Sequence, residues 1–256
     1  MKKLNKIKSA KEMLLIALFL LANLIDVSAQ IITNNKKPEP ETVKVAKKEK
    51  YDVLSYAYLG AGIGKSSRTL EPNEAFLNTP LGERANEFDI NRWSYHLGLN
   101  FPIYKYIRLD GGISLLQNGE QYEFQSTIDD SSFLYQNRYR YIGMPIQLQL
   151  HYGSTWSVFG GIGLAPQIFS AYRQEQQWTN ATGSQFKKKI DETNACDYFV
   201  LSMISSIGIK YFPGGNVGVR ANFSYRRQLT NTYTKYQNYI HKAAVVGCDF
   251  ELIIKL

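Results

Sequence analysis

The stretch NRWSYHLGLNF, residues Asn91–Phe101, decides the fold of this chain. One phase of its alternation is large and apolar throughout: Trp93, Tyr95, Leu97, Leu99 and Phe101. The other phase is small or polar: Ser94, His96, Gly98 and Asn100. A period of two residues places the two phases on opposite faces of a β-strand. The stretch therefore predicts a strand with one apolar face and one small or polar face.

The same alternation recurs from residue 51 to the end of the chain. We predict eight strands, at Tyr51–Gly64, Asn91–Phe101, Ile107–Leu116, Tyr139–Tyr152, Trp156–Phe169, Tyr198–Phe212, Val217–Arg227 and Ala243–Leu256. Most of them are at least as long as the roughly 9–11 tilted residues that cross a bilayer. The pattern alone does not say which face meets water, because a soluble barrel with an apolar interior shows the same period.

The connections between the strands alternate between short and long. Short turns are predicted at Pro102–Tyr106, Gly153–Thr155 and Pro213–Asn216. Longer polar loops are predicted at Lys65–Ile90, Gln117–Arg138, Ser170–Asp197 and Gln228–Lys242. All turns then fall at one end of the molecule and all loops at the other, which is typical of outer-membrane barrels with periplasmic turns and extracellular loops.

The residue types of the two phases fit a barrel in a membrane. An eight-stranded barrel has an interior just wide enough for side chains to fill it, and glycine recurs on the small phase. Aromatic residues gather near both ends of the strands, where they would form interfacial girdles: Tyr104, Tyr106, Tyr152, Trp156, Tyr211 and Phe212 by the turns, and Trp93, Phe169, Tyr198 and Tyr225 by the loops. We therefore predict an all-β, eight-stranded antiparallel up-and-down transmembrane β-barrel with its apolar phase facing lipid.

The first fifty residues contribute little to any core. Residues 1–29 combine five lysines, an apolar run from Met13 to Ile25 and small residues before Gln30, which predicts a signal peptide. Only about a dozen apolar residues precede Asp26, against roughly 20 for a spanning helix. Residues 30–50 are rich in lysine, asparagine and proline, and we expect a disordered periplasmic tether. The barrel is predicted over residues 51–256.

Three motifs carry a family resemblance. YIGMPIQL at Tyr141–Leu148, GGIGL at Gly160–Leu164 and FSYRRQLTN at Phe223–Asn231 resemble strands of the Bacteroidetes-type outer-membrane β-barrel family, a PorT-like or OmpX-like group of eight-stranded barrels. The resemblance extends over residues 51–256. It implies an outer-membrane location and a part in a type IX-like secretion or gliding machinery.

Charged side chains fall on the small phase and would lie inside the barrel. We predict a lumen ion-pair network of Arg108, Asp110, Arg220, Arg226, Asp249 and Glu251, with Arg220 and Arg226 beside Asp249 and Glu251. Buried charges must be paired, since an isolated one is costly. Such a network would plug the barrel, and open channels generally need about 16 strands. His96 and His151 are predicted to be hydrogen-bonded residues of the same interior.

The longest connections hold the candidate recognition and catalytic residues. Arg173, Trp178, Phe186, Lys187, Lys188 and Lys189 form a basic stretch flanked by aromatics in the third long loop. It could meet acidic glycans or the phosphates of lipopolysaccharide, or it could be an ordinary solvated loop. Asp129, Asp130 and His241 are the candidates for a rim-site enzyme, although three residues on two loops are weak evidence without further groups to position them.

The chain carries a formal net charge of +8, but export and the lack of a clustered basic and aromatic face disfavour nucleic acid as a partner. No residue spacing suggests a metal or cofactor site, and Cys196 and Cys248 lie on segments too far apart for a disulfide to be expected. The sequence favours a non-enzymatic barrel of a Gram-negative outer membrane that acts as a scaffold or accessory subunit. Expected partners are outer-membrane lipid and lipopolysaccharide, and a secretion-machinery or periplasmic protein. A surface adhesion or ligand-binding barrel is the alternative, with a rim-site enzyme or small channel behind it.

Overall fold

A computed structural model of the chain describes residues 54–73, 85–191, 195–234 and 238–256. The described residues form ten strands: β1 Tyr56–Pro72, β2 Glu87–Pro102, β3 Ile107–Gln125, β4 Ser132–Gly143, β5 Ile146–Gly153, β6 Trp156–Thr179, β7 Gln185–Ile190, β8 Phe199–Tyr211, β9 Val217–Gln228 and β10 Tyr239–Lys255. None of these residues belongs to a helix long and apolar enough to cross a membrane. The predicted signal peptide and tether lie outside the described residues.

The strands close into a ring of antiparallel neighbours. β1 pairs with β2 and β10, β2 with β3, β8 with β6 and β9, and β9 with β10, while β4 and β5 follow each other between β3 and β6. β4 and β5 thus share one place in the ring. The seam between the first and last strands runs from Tyr56 opposite Lys255 to Pro72 opposite Tyr239. The prediction of an eight-stranded antiparallel barrel is confirmed.

The fourth predicted strand, Tyr139–Tyr152, is interrupted at Met144 and Pro145. Proline has no N–H to donate to the ladder, so pairing lapses where it stands. The register on either side is unchanged, since Gly143 lies opposite Gln167 and Ile146 opposite Leu164 on β6. The carbonyl of Pro145 still accepts a hydrogen bond of 3.2 Å from the Gly112 amide. The interruption therefore leaves the barrel wall continuous.

Two of the predicted loops are long β-hairpins, so those loop assignments were wrong. β3 and β4 continue to a short turn at Ser126–Ser131, and β6 runs on to Thr179 before turning back into β7. The segments carry polar residues on both phases, so the apolar alternation that marks a membrane strand fades although the ladder continues. Together the outer parts of β3, β4 and β6 form with β7 a four-stranded sheet, which we call the ledge: residues 117–125, 132–140, 171–179 and 185–190.

The barrel is apolar outside and polar inside. Large exposed apolar side chains cover its outer surface, among them Leu59, Trp93, Leu97, Ile113, Leu148, Ile162, Ile207, Val219, Phe223, Phe250 and Leu252. Buried polar side chains fill the interior, among them Asn100, Arg108, Asp110, Gln149, Lys210, Arg220 and Glu251. On β2 the apolar run Trp93–Phe101 spans about 23 Å of membrane normal at a strand tilt of about 40°. An exterior of this kind is stable in lipid and not in water.

Candidate functional site: the barrel interior and the ledge

Arg220 lies at the centre of the interior charge network. Its Nη1 donates to Asp110 Oδ2 at 2.7 Å, and its Nε donates to Glu251 Oε2. Tyr58 donates its hydroxyl to Asp110 Oδ1 at 2.9 Å, and its ring lies 4.3 Å from the guanidinium of Arg220. Two carboxylates thus share one buried arginine, and the hydrogen bond from the Tyr58 hydroxyl stabilises the negative charge of Asp110.

Asp249 and Arg226 do not pair, contrary to the sequence prediction. Asp249 lies opposite Asn222 on β9 and interacts instead with His96 Nε2 at 3.1 Å and Ser224 Oγ at 2.8 Å. Arg226 is four residues further along β9, about 13 Å at the usual rise per residue. It donates to Asn118 Oδ1 at 2.7 Å and to other amide and carbonyl oxygens. Within the described part of the chain, Arg226 has no carboxylate partner.

The turn end of the interior is held by amides. Arg108 donates its Nε to Asn100 Oδ1 and its Nη2 to the Leu54 carbonyl at 2.7 Å. Asn100 in turn donates to both Asp110 and Gln149. His151 lies within hydrogen-bonding distance of Gln149, as His96 does of Ser114, so both histidines are hydrogen-bonded interior residues as expected.

The interior is packed rather than open. A cavity of about 40 Å³ lies among Tyr58, His96, Asp110, Arg220 and Asp249. A buried water needs at least about 10–15 Å³ of such space and two to four polar partners. The cavity therefore holds at most a few waters between layers of paired side chains.

A second buried cluster, which the sequence analysis missed, closes the outer mouth. Glu120 accepts hydrogen bonds from Asn137 Nδ2 at 2.7 Å and from the Tyr139 hydroxyl at 3.0 Å. Its other neighbours are Arg68 Nη1 at 3.4 Å and His241 Nε2 at 3.4 Å. Glu120 was not singled out because Gln117–Arg138 was predicted to be a loop, whereas the β3 ladder turns its side chain inward.

The structure separates the three residues predicted for a rim-site enzyme. His241 belongs to β10 rather than to a loop, is buried, and has its Nδ1 2.7 Å from Thr232 Oγ1. Thr232 is 0% exposed, so a substrate has no access to its hydroxyl. Asp129 lies in the exposed β3–β4 turn, where hydrogen bonds from the Ser131 hydroxyl and amide hold its pKa below the usual range. Asp129 and Asp130 therefore share no site with His241.

The ledge divides the predicted recognition residues between two faces. Trp178 lies opposite Phe186 and Gln176 opposite Lys188, so Trp178, Phe186 and Lys188 share the face that overhangs the mouth. Arg173, Lys187 and Lys189 share the outward face, which continues the lipid-facing side of the barrel wall. The prediction of a single loop patch was wrong, because these residues belong to strands, and a strand places successive side chains on opposite faces.

Stacked aromatic rings line the mouth-side face. The Trp178 and Phe186 rings stack at 5.5 Å, and the Tyr122 and Tyr135 rings at 5.3 Å. A groove of about 330 Å³ runs along the tips of the two hairpins; its lining includes Phe124, Phe133, Trp178, Phe186 and Lys187. Among the described residues β7 pairs only with β6, so its outer edge offers backbone N–H and C=O groups.

The acidic and sulfur groups do not form a metal centre. Across the described ranges, no three His, Cys, Asp or Glu side chains are grouped as ligands would be. Cys196 is buried and Cys248 is exposed on the outward face, and the two do not form a disulfide with each other. The candidate sites that remain are the mouth-side face of the ledge and its outward face.

A closed antiparallel ring, a polar packed interior and an apolar exterior define this protein as a transmembrane β-barrel of the bacterial outer membrane.

No family model and no curated protein matches the chain. Among solved structures, it is similar to the outer membrane protein OprG from Pseudomonas aeruginosa, at 10% identity and a TM-score of 0.44 over 81% of this chain and 98% of that chain. It is also similar to neisserial surface protein A (11%, TM-score 0.38, 79% and 97%) and to Ail, the attachment invasion locus protein of Yersinia pestis (11%, TM-score 0.26, 76% and 98%). Similarities at this level carry no argument about activity or ligand.

Proposed function

We propose that this protein is a non-enzymatic outer-membrane scaffold or accessory subunit whose partner binds the mouth-side face of the ledge. The observation that carries the proposal is the stacked pair Trp178 and Phe186, which lies beside Lys188 on the ledge, beyond the apolar band. Aromatic residues are the commonest anchors of protein interfaces. The packed interior offers a partner no comparable surface.

The chemistry of the ledge supports an acidic, extended partner segment. The free edge of β7 has the backbone groups that an added strand would pair with. Its run Lys187–Lys189 disfavours edge-to-edge pairing with another copy of the same strand, because like charges would meet. An acidic segment meets no such repulsion. The sequence resemblance to PorT-like barrels supports a subunit of a secretion or gliding machinery as that partner.

Two arrangements support a role without catalysis. Thr232 and His241 form a buried hydrogen bond that substrate cannot reach, and the exposed Asp129 is held by its own turn. A general base must come within about 2.6–3.2 Å of the heavy atom that carries the proton it takes. Buried His241 leaves no room for that approach, and the lowered pKa of Asp129 makes its carboxylate a weak base.

The test is affinity purification from gently solubilised membranes, with the co-purifying proteins quantified. Replacing Trp178 and Phe186 with alanine should remove the partner from the eluate while the barrel remains folded. Ile128→Ala is the matched control, since Ile128 is a fully exposed apolar residue on the neighbouring β3–β4 turn. If deletion of residues 32–48 removes the partner and the ledge variant does not, the partner is periplasmic and the proposal is wrong.

Surface adhesion is the second candidate, favoured by the three consecutive lysines of β7. A lysine run attracts polyanions without much specificity, and such binding weakens steeply as salt rises. Binding of the purified barrel to an immobilised sulfated polysaccharide should then disappear at high salt and in a Lys187→Gln, Lys188→Gln, Lys189→Gln variant. Partner binding through stacked rings should depend far less on salt.

A further inference from the structure

Three arginines lie together on the outward face of the ledge, just beyond the apolar band. Arg140 and Arg138 on β4 are the next two outward positions after Ile142, which is 42% exposed and apolar. Arg173 on β6 lies directly opposite Arg138. Each step of two residues advances about 6.6 Å along a strand, and the polar headgroup layer is about 5–8 Å deep on each side of the bilayer. At a strand tilt of about 40°, Arg140 therefore lies about 5 Å beyond Ile142 along the membrane normal, within the headgroup layer. Arg138 lies about 10 Å beyond Ile142, just outside that layer, and its long side chain can reach back to the headgroups.

The arrangement is unfavourable for the protein alone. Like charges directly opposite each other on neighbouring strands repel. Arg173 has one carboxylate partner, Asp191 Oδ1 at 2.9 Å, in an exposed pair. The side chains of Arg138 and Arg140 make no hydrogen bond or ion pair with any other described residue. The nearby carboxylates are Asp191, which pairs with Arg173, and Glu175, which attracts Arg173 electrostatically. The three arginines outnumber these two carboxylates, so positive charge predominates on this face.

A fourth arginine reaches the same place through a gap in the barrel wall. The β2–β3 ladder is interrupted between the pairs Tyr95–Leu115 and Asp89–Glu120, and Arg92 lies in the interruption. Its Nη2 donates to the Asn137 carbonyl at 3.4 Å, and its Nε, which has no partner, would lie 2.8 Å from a Cβ at Gly119. Glycine at position 119, opposite Arg138 on β4, leaves the space that Arg92 occupies. The four residues Arg92, Arg138, Arg140 and Arg173 are called the arginine row below.

We propose that the arginine row binds the phosphate groups of outer-leaflet lipid headgroups. Guanidinium groups bind phosphate oxygens through two parallel hydrogen bonds, so they suit this ligand better than lysine does. The row adjoins the lipid-facing wall, so a lipid whose chains pack against Ile142 can place its phosphate on Arg140 and Arg138. A phosphate between Arg138 and Arg173 also removes their mutual repulsion.

The experiment uses the full barrel in micelles of an alkyl maltoside, a detergent without phosphate, with and without lipid A, and measures the thermal midpoint and the bound lipid by native mass spectrometry. Lipid A should raise the midpoint, and dephosphorylated lipid A should not. Arg138→Gln with Arg140→Gln should weaken apparent lipid A binding about tenfold, as expected when charge-assisted hydrogen bonds are lost. The matched control is Lys65→Gln with Arg227→Gln, which removes two exposed basic residues from β1 and β9.

Four outcomes would overturn the proposal. One is equal binding of lipid A by the wild type and the Arg138, Arg140 variant when both migrate as folded barrels. Another is equal stabilisation by dephosphorylated lipid A, which would assign the effect to the acyl chains. The third is full stabilisation by inorganic phosphate alone in the same phosphate-free micelles, which would make the row a site for free anions. The fourth is an equal loss of lipid A binding in the control variant, which would show that binding depends on the net charge of the barrel rather than on the arginine row.

Discussion

At the scale of the residue, Arg220 determines the charge balance of the barrel interior. It is the shared partner of Asp110 and Glu251, and all three side chains are buried. Removing either carboxylate leaves the arginine with the other. Removing the arginine leaves two carboxylates facing each other without a cation, which is the larger electrostatic penalty.

Arg220→Met should therefore destabilise the barrel by about 3–5 kcal/mol, the usual effect of stripping one partner from a buried pair. Glu251→Gln should have a smaller effect, because Asp110 still neutralises Arg220. The triple variant Arg220→Met, Asp110→Asn, Glu251→Gln should recover much of the loss. Urea unfolding of the protein in lipid vesicles measures all three, and an Arg220→Met variant as stable as the wild type would contradict the account.

A second residue-scale prediction concerns the lipid-facing side of the wall. Leu148 is 54% exposed and lies near the middle of the apolar surface of its strand. Leu148→Arg should cost about 2–4 kcal/mol in vesicles, as arginine does near the bilayer midplane. Leu148→Phe and Gln177→Arg are the controls; the first stays apolar and the second lies on the ledge. A Leu148→Arg variant as stable as these controls would mean that the face does not meet lipid.

At the scale of the element, the membrane-crossing parts of the strands could be read from the sequence and the ledge could not. The strand at Asn91–Phe101 could be predicted because its outward side chains face lipid and are therefore apolar. Beyond the bilayer that constraint ends, and segments such as Gln174–Thr179 have polar residues on both faces. Nothing in such a pattern separates a solvated hairpin from a loop, and Glu120 was overlooked for the same reason. The break at Pro145, by contrast, could have been foreseen from proline's missing N–H.

The hairpin of β6 and β7 should be separable from the barrel. Gln177 lies opposite Lys187, so replacing Trp178–Phe186 with Asn-Gly joins two paired residues by a two-residue turn. The free energy of unfolding should change by less than about 1 kcal/mol, because the removed residues lie outside the closed ring. Partner binding should be lost.

The control for this truncation is the neighbouring hairpin. Replacing Ser126–Ser131 with Asn-Gly joins Gln125 to Ser132, which are also paired, and leaves the stacked rings in place. Stability and partner binding should both persist. Loss of partner binding in this control variant as well would show that hairpin length, rather than Trp178 and Phe186, determines recognition.

At the scale of the whole molecule, the barrel is a wall around a filled interior. Eight strands leave a lumen that side chains can fill, and here arginine, carboxylate and amide groups fill it. These groups could be identified from the sequence, because alternate residues of a strand lie on opposite faces and the apolar phase faces lipid. The sequence did not identify the partners of Arg226 and Asp249, because pairing across the lumen depends on their heights along the strands.

Because its interior is filled, the barrel should not conduct ions. In planar bilayers the wild-type barrel should show no steady conductance, since the cavity beside Arg220 and Asp249 is only about 40 Å³ and no water column passes those layers. Single-channel recording at several voltages tests this. Reproducible open levels of the wild type, with a defined ion selectivity, would mean that the interior rearranges into a pore.

The long seam between β1 and β10 bears on how the barrel is made. Every other neighbouring pair of barrel strands is close in sequence, whereas this ladder joins the first and last strands. Beside it, the Leu256 amide donates to the Ser55 carbonyl at 3.0 Å. Contacts between distant parts of a chain form slowly, because the chain loses the entropy of a long loop before the favourable contacts are made. We therefore expect the β1–β10 ladder to be the last one to form during assembly of the barrel. Until it does, the exposed edges of β1 and β10 are the surfaces on which a chaperone or an insertion factor can act.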